Sequence, residues 1–559
     1  MVNIKRWRWW SPVGVVLYLL AVQTSVAEEP SVDDGLQDSR PTVGLVLGGG
    51  GARGAAHIGV LKELERLRIP VDAIVGTSMG AIVGGLYATG MDATELEQLV
   101  GSVDWARALS DEADRRDLSF RRKQDDAQVP MDFELGIRGT ELILPKGVIQ
   151  GQKLDMLLRG LTMPVAEVDN FDRLAIPFRA VASDIEHGEI WVMDGGDLAK
   201  SIRASMSVPG VFAPVRIGDR LLVDGGLVGN LAIDVMQEMG VDIIIAVDVE
   251  FPLYAEKDLG SALAISEQML TILIRRETLR QIDNLGEQDV LIRPELGVFA
   301  STNFGEILNT IEPGEAAVRE HADRLNELAL DEEAWDEHLA NRKRPSIPQG
   351  SLAFVRVVHD GVLAPEVLES KLGVKVGDPI DHAVLAQNAD RLYGLQLYEQ
   401  VTYRLVEEGE GSGVEYRART KSWGPTFLQF GLSLEEDFEG TTGFNLAARM
   451  TRAGINQLGA EWRSDLRLGT DPRLFSEFYQ PLSFDSQWFI APHVELNQTN
   501  INAFSEDDTV ARLRLSEAEA GLGFGRELGR IGEFRVGAFR GSGKARVTVG
   551  DPALPNVEF

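Results

Sequence analysis

The chain has 559 residues, a formal net charge of −31 and no cysteine. That length calls for several domains with separate cores, and the charge argues against nucleic acid as a partner. The lack of cysteine excludes thiol catalysis and cysteine metal sites, and fits a protein that crosses an oxidising compartment without disulfides.

At the N-terminus Lys5, Arg6 and Arg8 precede an apolar run from Val13 to Val22, followed by Ser25-Val26-Ala27. Small residues there suit a signal peptidase, and the run is too short for a stable membrane helix, so residues 1–27 are predicted as a secretory signal peptide. Residues 28–40 are polar enough for a flexible lead.

Val43 to Leu47 is short, apolar and closed by glycines, as a buried strand requires. From Ala55 to Arg68 apolar residues recur at helical spacing until Pro70. Asp72 to Val75 is a second strand, and Met79 to Thr89 a second helix with Gly90 past its end. A βαβα order makes the strands parallel neighbours, with both loops at the carboxyl edge where α/β ligand sites lie. Ser78, in Gly76-Thr77-Ser78-Met79-Gly80, then occupies a strand-to-helix turn. Such an elbow needs glycines for close backbone approach and lifts the hydroxyl to the top of the sheet.

The loop Gly49-Gly50-Gly51-Ala52-Arg53-Gly54 has two readings. It satisfies the GxGxxG of a dinucleotide site, but the next strand ends without the acidic residue that would hold a ribose. In the preferred reading its backbone amides converge as an oxyanion hole. A nucleophilic serine also needs a base. His57 lies inside the first helix pattern, His187 in a turn, and His321 and His338 far downstream. Asp224, at the end of the Arg220–Asp224 strand and before Gly225-Gly226, is a candidate, and Asp194 before Gly195-Gly196 is its rival.

These motifs, together with Ala204-Ser205-Met206-Ser207-Val208-Pro209-Gly210, Phe212, Pro214-Val215 and Asn230, resemble the bacterial patatin-like phospholipases. The resemblance implies a three-layer α/β domain over residues 41–341 and a phospholipid ester substrate. It further implies a Ser-Asp dyad without histidine or cofactor: Ser78 as nucleophile, Asp224 as base and residues 49–54 as oxyanion hole. It favours Asp224 over Asp194, because the family's aspartate follows the Ser-x-Pro-Gly block. Ala232 departs from the proline many relatives carry after the asparagine. For Arg53 two roles stand open, contact with a lipid phosphate or bracing of the loop. Nothing in the sequence points to a metal.

Within this domain Leu99 to Gln128 is charge-rich and reads as a lid, a substrate wall or a plain connection. A helix is expected within Val148 to Asp169, strands at Ile176–Val181 and Val241–Val247, and helices over Ala262–Leu285 and Pro313–Leu339. No amphipathic lipid-binding helix stands out. Residues 342–350, with prolines and a charge run, read as a linker.

Residues 351–421 show the order β-α-α-β-β and resemble a POTRA domain, the periplasmic module of outer-membrane assembly and secretion barrels. From residue 422 the texture changes: Phe444, Leu446, Ala448 and Met450 alternate with Asn445, Ala447, Arg449 and Thr451, and further alternating segments follow at Phe475–Tyr479, Trp488–Leu496, Val510–Ser516, Ala520–Arg526 and Phe534–Phe539. One apolar and one charged face suit tilted antiparallel strands of a transmembrane β-barrel; a soluble β-sandwich is the alternative. Residues 422–559 have room for only about eight strands of that length, whereas the barrels that follow a POTRA domain resemble a larger family of commonly about sixteen, so the barrel is expected to be truncated, an unusually small barrel being the alternative. The whole order resembles the type V, subtype d secretion systems. That implies an exported protein with its barrel in the outer membrane and its catalytic domain secreted or at the surface. A translocation or assembly protein with a non-catalytic passenger, or an acyltransferase, is the alternative, and homo-oligomerisation is open.

Overall fold

A computed structural model describes residues 40–128, 134–249, 252–347, 349–409, 411–436, 442–485, 487–505, 508–550 and 556–559. The expected signal peptide and nearly all of the lead lie outside the described residues.

The catalytic-type domain is organised on a sheet whose central strands are apolar on both faces. In chain order its elements begin with β1 (Val43–Leu47), α1 (Ala56–Arg66), β2 (Ala73–Thr77) and α2 (Met79–Ala88). There follow α3 (Phe120–Gln128), the hairpin β3 (Glu134–Arg138) and β4 (Glu141–Ile143), and α4 (Gln152–Thr162). Next are β5 (Phe178–Asp184), β6 (Glu189–Met193), α5 (Leu198–Ser205), β7 (Val215–Ile217) and β8 (Arg220–Asp224). The domain ends with β9 (Ile243–Val247), α6 (Ala262–Ile282), β10 (Val290–Ile292) and α7 (Ile311–Arg319).

The sheet runs β10-β9-β1-β2-β5-β8-β7, with β6 also on β5. β1, β2 and β9 are parallel and wholly buried, as strands covered on both faces must be. β8 is antiparallel to β5. The helix expected over Pro313–Leu339 is broken: α7 stops at Arg319, and a separate helix starts at Glu332, where the Asp331 side chain accepts from the Ala334 amide.

The module after residue 350 has the expected order. Its elements are β11 (Val355–His359), α8 (Pro365–Glu369), α9 (His382–Tyr393), β12 (Tyr398–Glu408) and β13 (Gly411–Thr420), with sheet order β11-β13-β12. The linker is less free than its composition implied. Arg342 is buried, stacks on the Tyr87 ring at 4.0 Å and donates to the Tyr87 hydroxyl at 2.8 Å. Met156 and Met163 of the preceding domain belong to the module's core, and the Gln152 side chain pairs with the Val401 backbone through two 2.8 Å bonds.

The C-terminal part is one antiparallel sheet. It comprises β14 (Thr426–Glu436), β15 (Thr442–Arg452), β16 (Glu461–Gly469), β17 (Arg473–Pro481), β18 (Trp488–Ser505), β19 (Asp508–Glu527), β20 (Glu533–Val549) and β21 (Val557–Glu558). Hairpin β3-β4 adds to the β14 edge, giving ten strands. The segments expected as two strands at 510–516 and 520–526 are one strand, because the polar stretch between them has no breaker and pairs without interruption to β18. Leu432, Leu446 and Leu468 are register neighbours on one exposed face, as are Leu466, Leu474 and Leu496. Arg449, Glu461, Arg463 and Glu477, on the other face, are buried.

Helices α1 and α7 cross in backbone contact. A side chain at Gly59 would begin 1.9 Å from the Ile311 carbonyl, and one at Gly314 would begin 2.1 Å from that of Ala56. Gly59→Leu should therefore destabilise the domain by about 1–3 kcal/mol or more, seen as a lower urea midpoint. Gly260→Ala, which meets nothing within 4 Å, should not.

Candidate active site

The site is created by one edge of β5. β2 pairs with that strand as far as Thr77 opposite Val181, and β8 takes over with Asp224 opposite Ala182. The two strands run toward each other and meet end to end, so the residue after β2, Ser78, lies beside the last residue of β8, Asp224. The junction is too tight for a side chain at Gly225, whose Cβ would fall 2.3 Å from the Val181 carbonyl and 2.9 Å from the Thr77 methyl.

Ser78 has φ +55°, ψ −120°, a strained left-handed conformation for a non-glycine residue, and it opens α2. The strain is held by packing that only glycine permits. A side chain at Gly80 would begin 2.1 Å from the Leu47 carbonyl, and one at Gly76 would begin 2.5 Å from that of Gly80. Ser205 supports the turn from outside: its hydroxyl accepts from the Ser78 amide at 2.9 Å and donates to the Val181 carbonyl at 2.5 Å.

Asp224 is buried. Its Oδ1 accepts from the Gly226 amide at 2.8 Å, whereas Oδ2 makes no hydrogen bond among the described residues. Burial pushes the carboxyl up to about 6; the Gly226 amide and the Ser78 hydroxyl, which lies against it, pull the other way. Backbone contacts lock the residue in place, with Ser183 Oγ donating to the Asp224 carbonyl at 2.7 Å and the Asp224 amide donating to that of Ser207 at 2.9 Å.

The glycine loop rises from β1 beside this pair. A Cβ at Gly49 would lie 3.1 Å from that of Ser78 and 2.7 Å from Asn230 Oδ1. Among the described residues nothing accepts from the amides of Gly49, Gly50 or Gly51. The Ala52 amide donates to the Ser301 carbonyl at 2.7 Å and that of Arg53 to Gly50 at 3.2 Å. Ala52 and Arg53 thus hold the loop while the first three glycines leave donors unspent. Gly54 is a packing position, with its would-be Cβ 2.6 Å from Met79 Cβ.

Arg53 takes the bracing role. It is 3% exposed and donates to the carbonyls of Val249 (2.9 Å), Gly297 (3.1 Å) and Phe299 (2.6 Å). His57 is fully buried beneath the loop with Nε2 2.7 Å from the Gly48 carbonyl, and burial holds its ring down to about 4 against that bond. Asp194 follows β6, which lies on the other edge of β5, away from the junction. His187 pairs at 2.9 Å with Asp184.

No local pattern in the sequence marks Ser183, Ser205 or Arg203 as side chains that support the pair. Arg203 is fully buried, donates to Ser207 Oγ at 2.7 Å and to the Gln150 carbonyl at 3.1 Å, and is held down to about 10 by burial, with Asp155 and Asp111 opposing. It ties the Ser-x-Pro-Gly block, and with it the Asp224 amide, to the start of α4. No group of residues among those described could hold a metal ion.

Residues 45–236 match the family described as Patatin-like phospholipase, so the first domain of this chain is a patatin-like phospholipase domain. An uncharacterized NTE family protein of Mycobacterium tuberculosis is 34% identical over 211 residues, which are 38% of this chain and 50% of that protein. The lysophospholipase NTE1 of Candida albicans is 34% identical over 213 residues, 38% of this chain and 13% of that one. The chain spans about half the length of the first of these relatives, and a smaller share of the second. Among solved structures, BamA from Haemophilus ducreyi lacking POTRA domains 1–3 overlays with a TM-score of 0.26 at 14% identity, covering 36% of this chain and 37% of that one.

With Asp224 as the base, the burial that pushes its carboxyl up to about 6 sets an acid limb. The carboxyl accepts a proton only when ionised, so kcat/KM for an ester should fall tenfold per pH unit below about 6. A carboxyl at the ordinary 3.8 would sustain activity two units lower. His57→Gln should leave this limb where it is.

Proposed function

We propose that the chain is a serine lipid acyl hydrolase of phospholipase A type, exported through its N-terminal signal and carried in the outer membrane by its C-terminal sheet. The observation that carries the chemistry is the junction on β5: a strained serine against a buried carboxyl with one unpartnered oxygen, beside Gly49, which opens a run of three glycines whose amides are unspent among the described residues. Ser78 Oγ attacks the ester carbonyl as its proton passes to Asp224. The amides of Gly49, Gly50 and Gly51 hold the oxyanion, where one donor is worth about a hundredfold to a thousandfold in rate. Asp224 returns the proton to the departing alcohol, and water, deprotonated in turn by Asp224, releases the acyl enzyme. Dinucleotide binding has no support in this geometry, since Gly49 lies against Ser78.

A lipid substrate is supported by the family's description and by the name of the Candida relative, a lysophospholipase. It is also supported by α6. That helix packs Ile274 over Gly226, and its Thr278 hydroxyl accepts from Asn230 at 3.3 Å. On its outer side Ile265, Met269, Ile272 and Leu273 stand about half exposed. Apolar side chains left in water beside an active site favour an insoluble, acyl-chain substrate.

The membrane reading rests on the polarity of the C-terminal sheet. Its apolar residues face out and its charges face in, the arrangement of a barrel wall in lipid rather than of a sandwich in water. The β-α-α-β-β module directly before it fits a POTRA-like domain.

Ser78→Ala and Asp224→Asn should each lower kcat for a fluorogenic phospholipid by about a thousandfold or more, and Ser78→Ala should abolish labelling by a fluorophosphonate. Equal turnover by all three forms would remove the hydrolase assignment and leave a carrier with a non-catalytic domain.

A further inference from the structure

Residues 117–128 and 134–143, which belong to the catalytic domain in sequence, lie against the C-terminal sheet. The helix α3 reads Phe-Arg-Arg-Lys-Gln-Asp-Asp-Ala-Gln, too polar to cover the apolar core of its own domain. It lies instead against the charged face of the sheet, where its charges find opposite partners. Arg121 donates to Glu461 at 2.9 Å and to Glu477 at 2.8 Å, with its guanidinium 4.6 Å from the Tyr479 ring centre. Arg122 pairs with Glu461. Asp125 accepts from Arg463 at 2.8 Å and from Arg449 at 3.1 Å. At the start of the segment Asp117 accepts from Arg530 at 2.9 Å, and Lys123 donates to the Arg530 carbonyl at 2.7 Å.

The hairpin that follows has no partner in the catalytic sheet. β3 pairs antiparallel with the outer edge of β14, Leu135 opposite Leu428 and Gly136 opposite Phe427. The fit is specific at two points. A side chain at Gly136 would begin 1.8 Å from the Trp423 carbonyl, and Glu134 accepts from both Trp423 Nε1 and Lys421 Nζ at 2.8 Å. An unpaired strand edge is a template for any extended segment, and pairing by main-chain bonds with side-chain pockets is a recurrent recognition mode. Buried charges are tolerated only when paired, so the sheet's inner face and this helix each supply what the other lacks.

We propose that residues 117–128 and 134–143 form a docking arm, through which the catalytic domain is clamped to the charged face and the β14 edge of the C-terminal sheet. The occupant of that edge is therefore this chain itself, and the catalytic domain is a fixed member of the assembly rather than a cargo held only by the 342–350 segment. The inference goes beyond the hydrolase reading and does not depend on it.

The chain has no native cysteine, so one designed pair can report the contact. The full-length protein carrying Leu135→Cys and Leu428→Cys, with a protease site inserted at Ser346, is oxidised mildly in its membrane fraction, cleaved and run on a denaturing gel without reductant. The two fragments should migrate together and separate on reduction. Leu135→Cys with Leu434→Cys, six residues along the same strand, should give at least tenfold less linked product. Linkage no greater than that of the single-cysteine forms, or equal in both pairs, overturns the proposal. Without cysteines, Arg121→Glu should weaken retention of the cleaved catalytic fragment on the membrane, and Glu477→Arg in the same chain should restore part of it. Retention unchanged by Arg121→Glu means that the charges do not hold the arm, and the charge-lock half of the proposal falls.

Discussion

The catalytic geometry depends on one strand edge being shared by two others. β5 gives the upper part of an edge to β8 and the lower part to β2, and the strand ends meet between Val181 and Ala182. A one-residue slip of either strand would turn its last side chain to the opposite face. The register is fixed by what fills the junction: Gly225, with no room for a Cβ, and hydroxyls that satisfy the backbone groups the change of partner leaves unpaired. Ser205 joins the Ser78 amide to the Val181 carbonyl, and Ser183 caps that of Asp224. These serines do no chemistry, yet they set the nucleophile's position to within the tolerance of a hydrogen bond.

In the proposed mechanism burial is what makes Asp224 suitable as a base. In water a carboxyl near 3.8 is too weak to take a proton from a serine with useful frequency, and a fully dry one would stay protonated at neutral pH. Asp224 sits between these limits at about 6, because one oxygen keeps the Gly226 amide and the other has only the serine beside it. His57, under the glycine loop, shows the opposite result. Burial takes a ring that would titrate near 6.5 down to about 4 and fixes it on the Gly48 carbonyl, so it remains a neutral strut. The same low-dielectric surroundings that raise an acid suppress a base.

Much of the first domain was legible in the sequence because its signals are local. β1 and α2 stand where their apolar runs begin and end, and the glycines at 76 and 80 mark an elbow that only a residue without a side chain can make. The long-range part was not legible. Nothing near Ser205 reveals that its hydroxyl meets Ser78 across 127 positions of chain, and nothing in Arg53 shows that three carbonyls from distant loops use up its guanidinium. Strand ends were misread where polar residues lie inside a continuous ladder, as between Ser516 and Ala520. Local propensity describes the segment, whereas pairing is decided by the neighbour.

The C-terminal sheet shows why alternation alone is ambiguous. A period of two tells that the faces differ, but not which of them meets solvent, so a sandwich and a barrel wall read alike. In the fold Leu446 and Leu468 are about half exposed while Arg449 and Glu477 are each 2% exposed, the polarity on which the proposed barrel reading rests. A buried face of that kind is stable only if each charge finds its opposite, and strands of the sheet supply part of this, as in the 2.6 Å Arg449–Asp465 pair. They do not supply all of it. Glu461 stands opposite Tyr479, not a cation, and the polar helix α3, brought from the catalytic domain, carries Arg121 and Arg122 to it, while Glu477 shares Arg121 with Arg535 of the sheet. The charge that disqualifies the helix from its own domain's core is thus what assigns its position on the sheet.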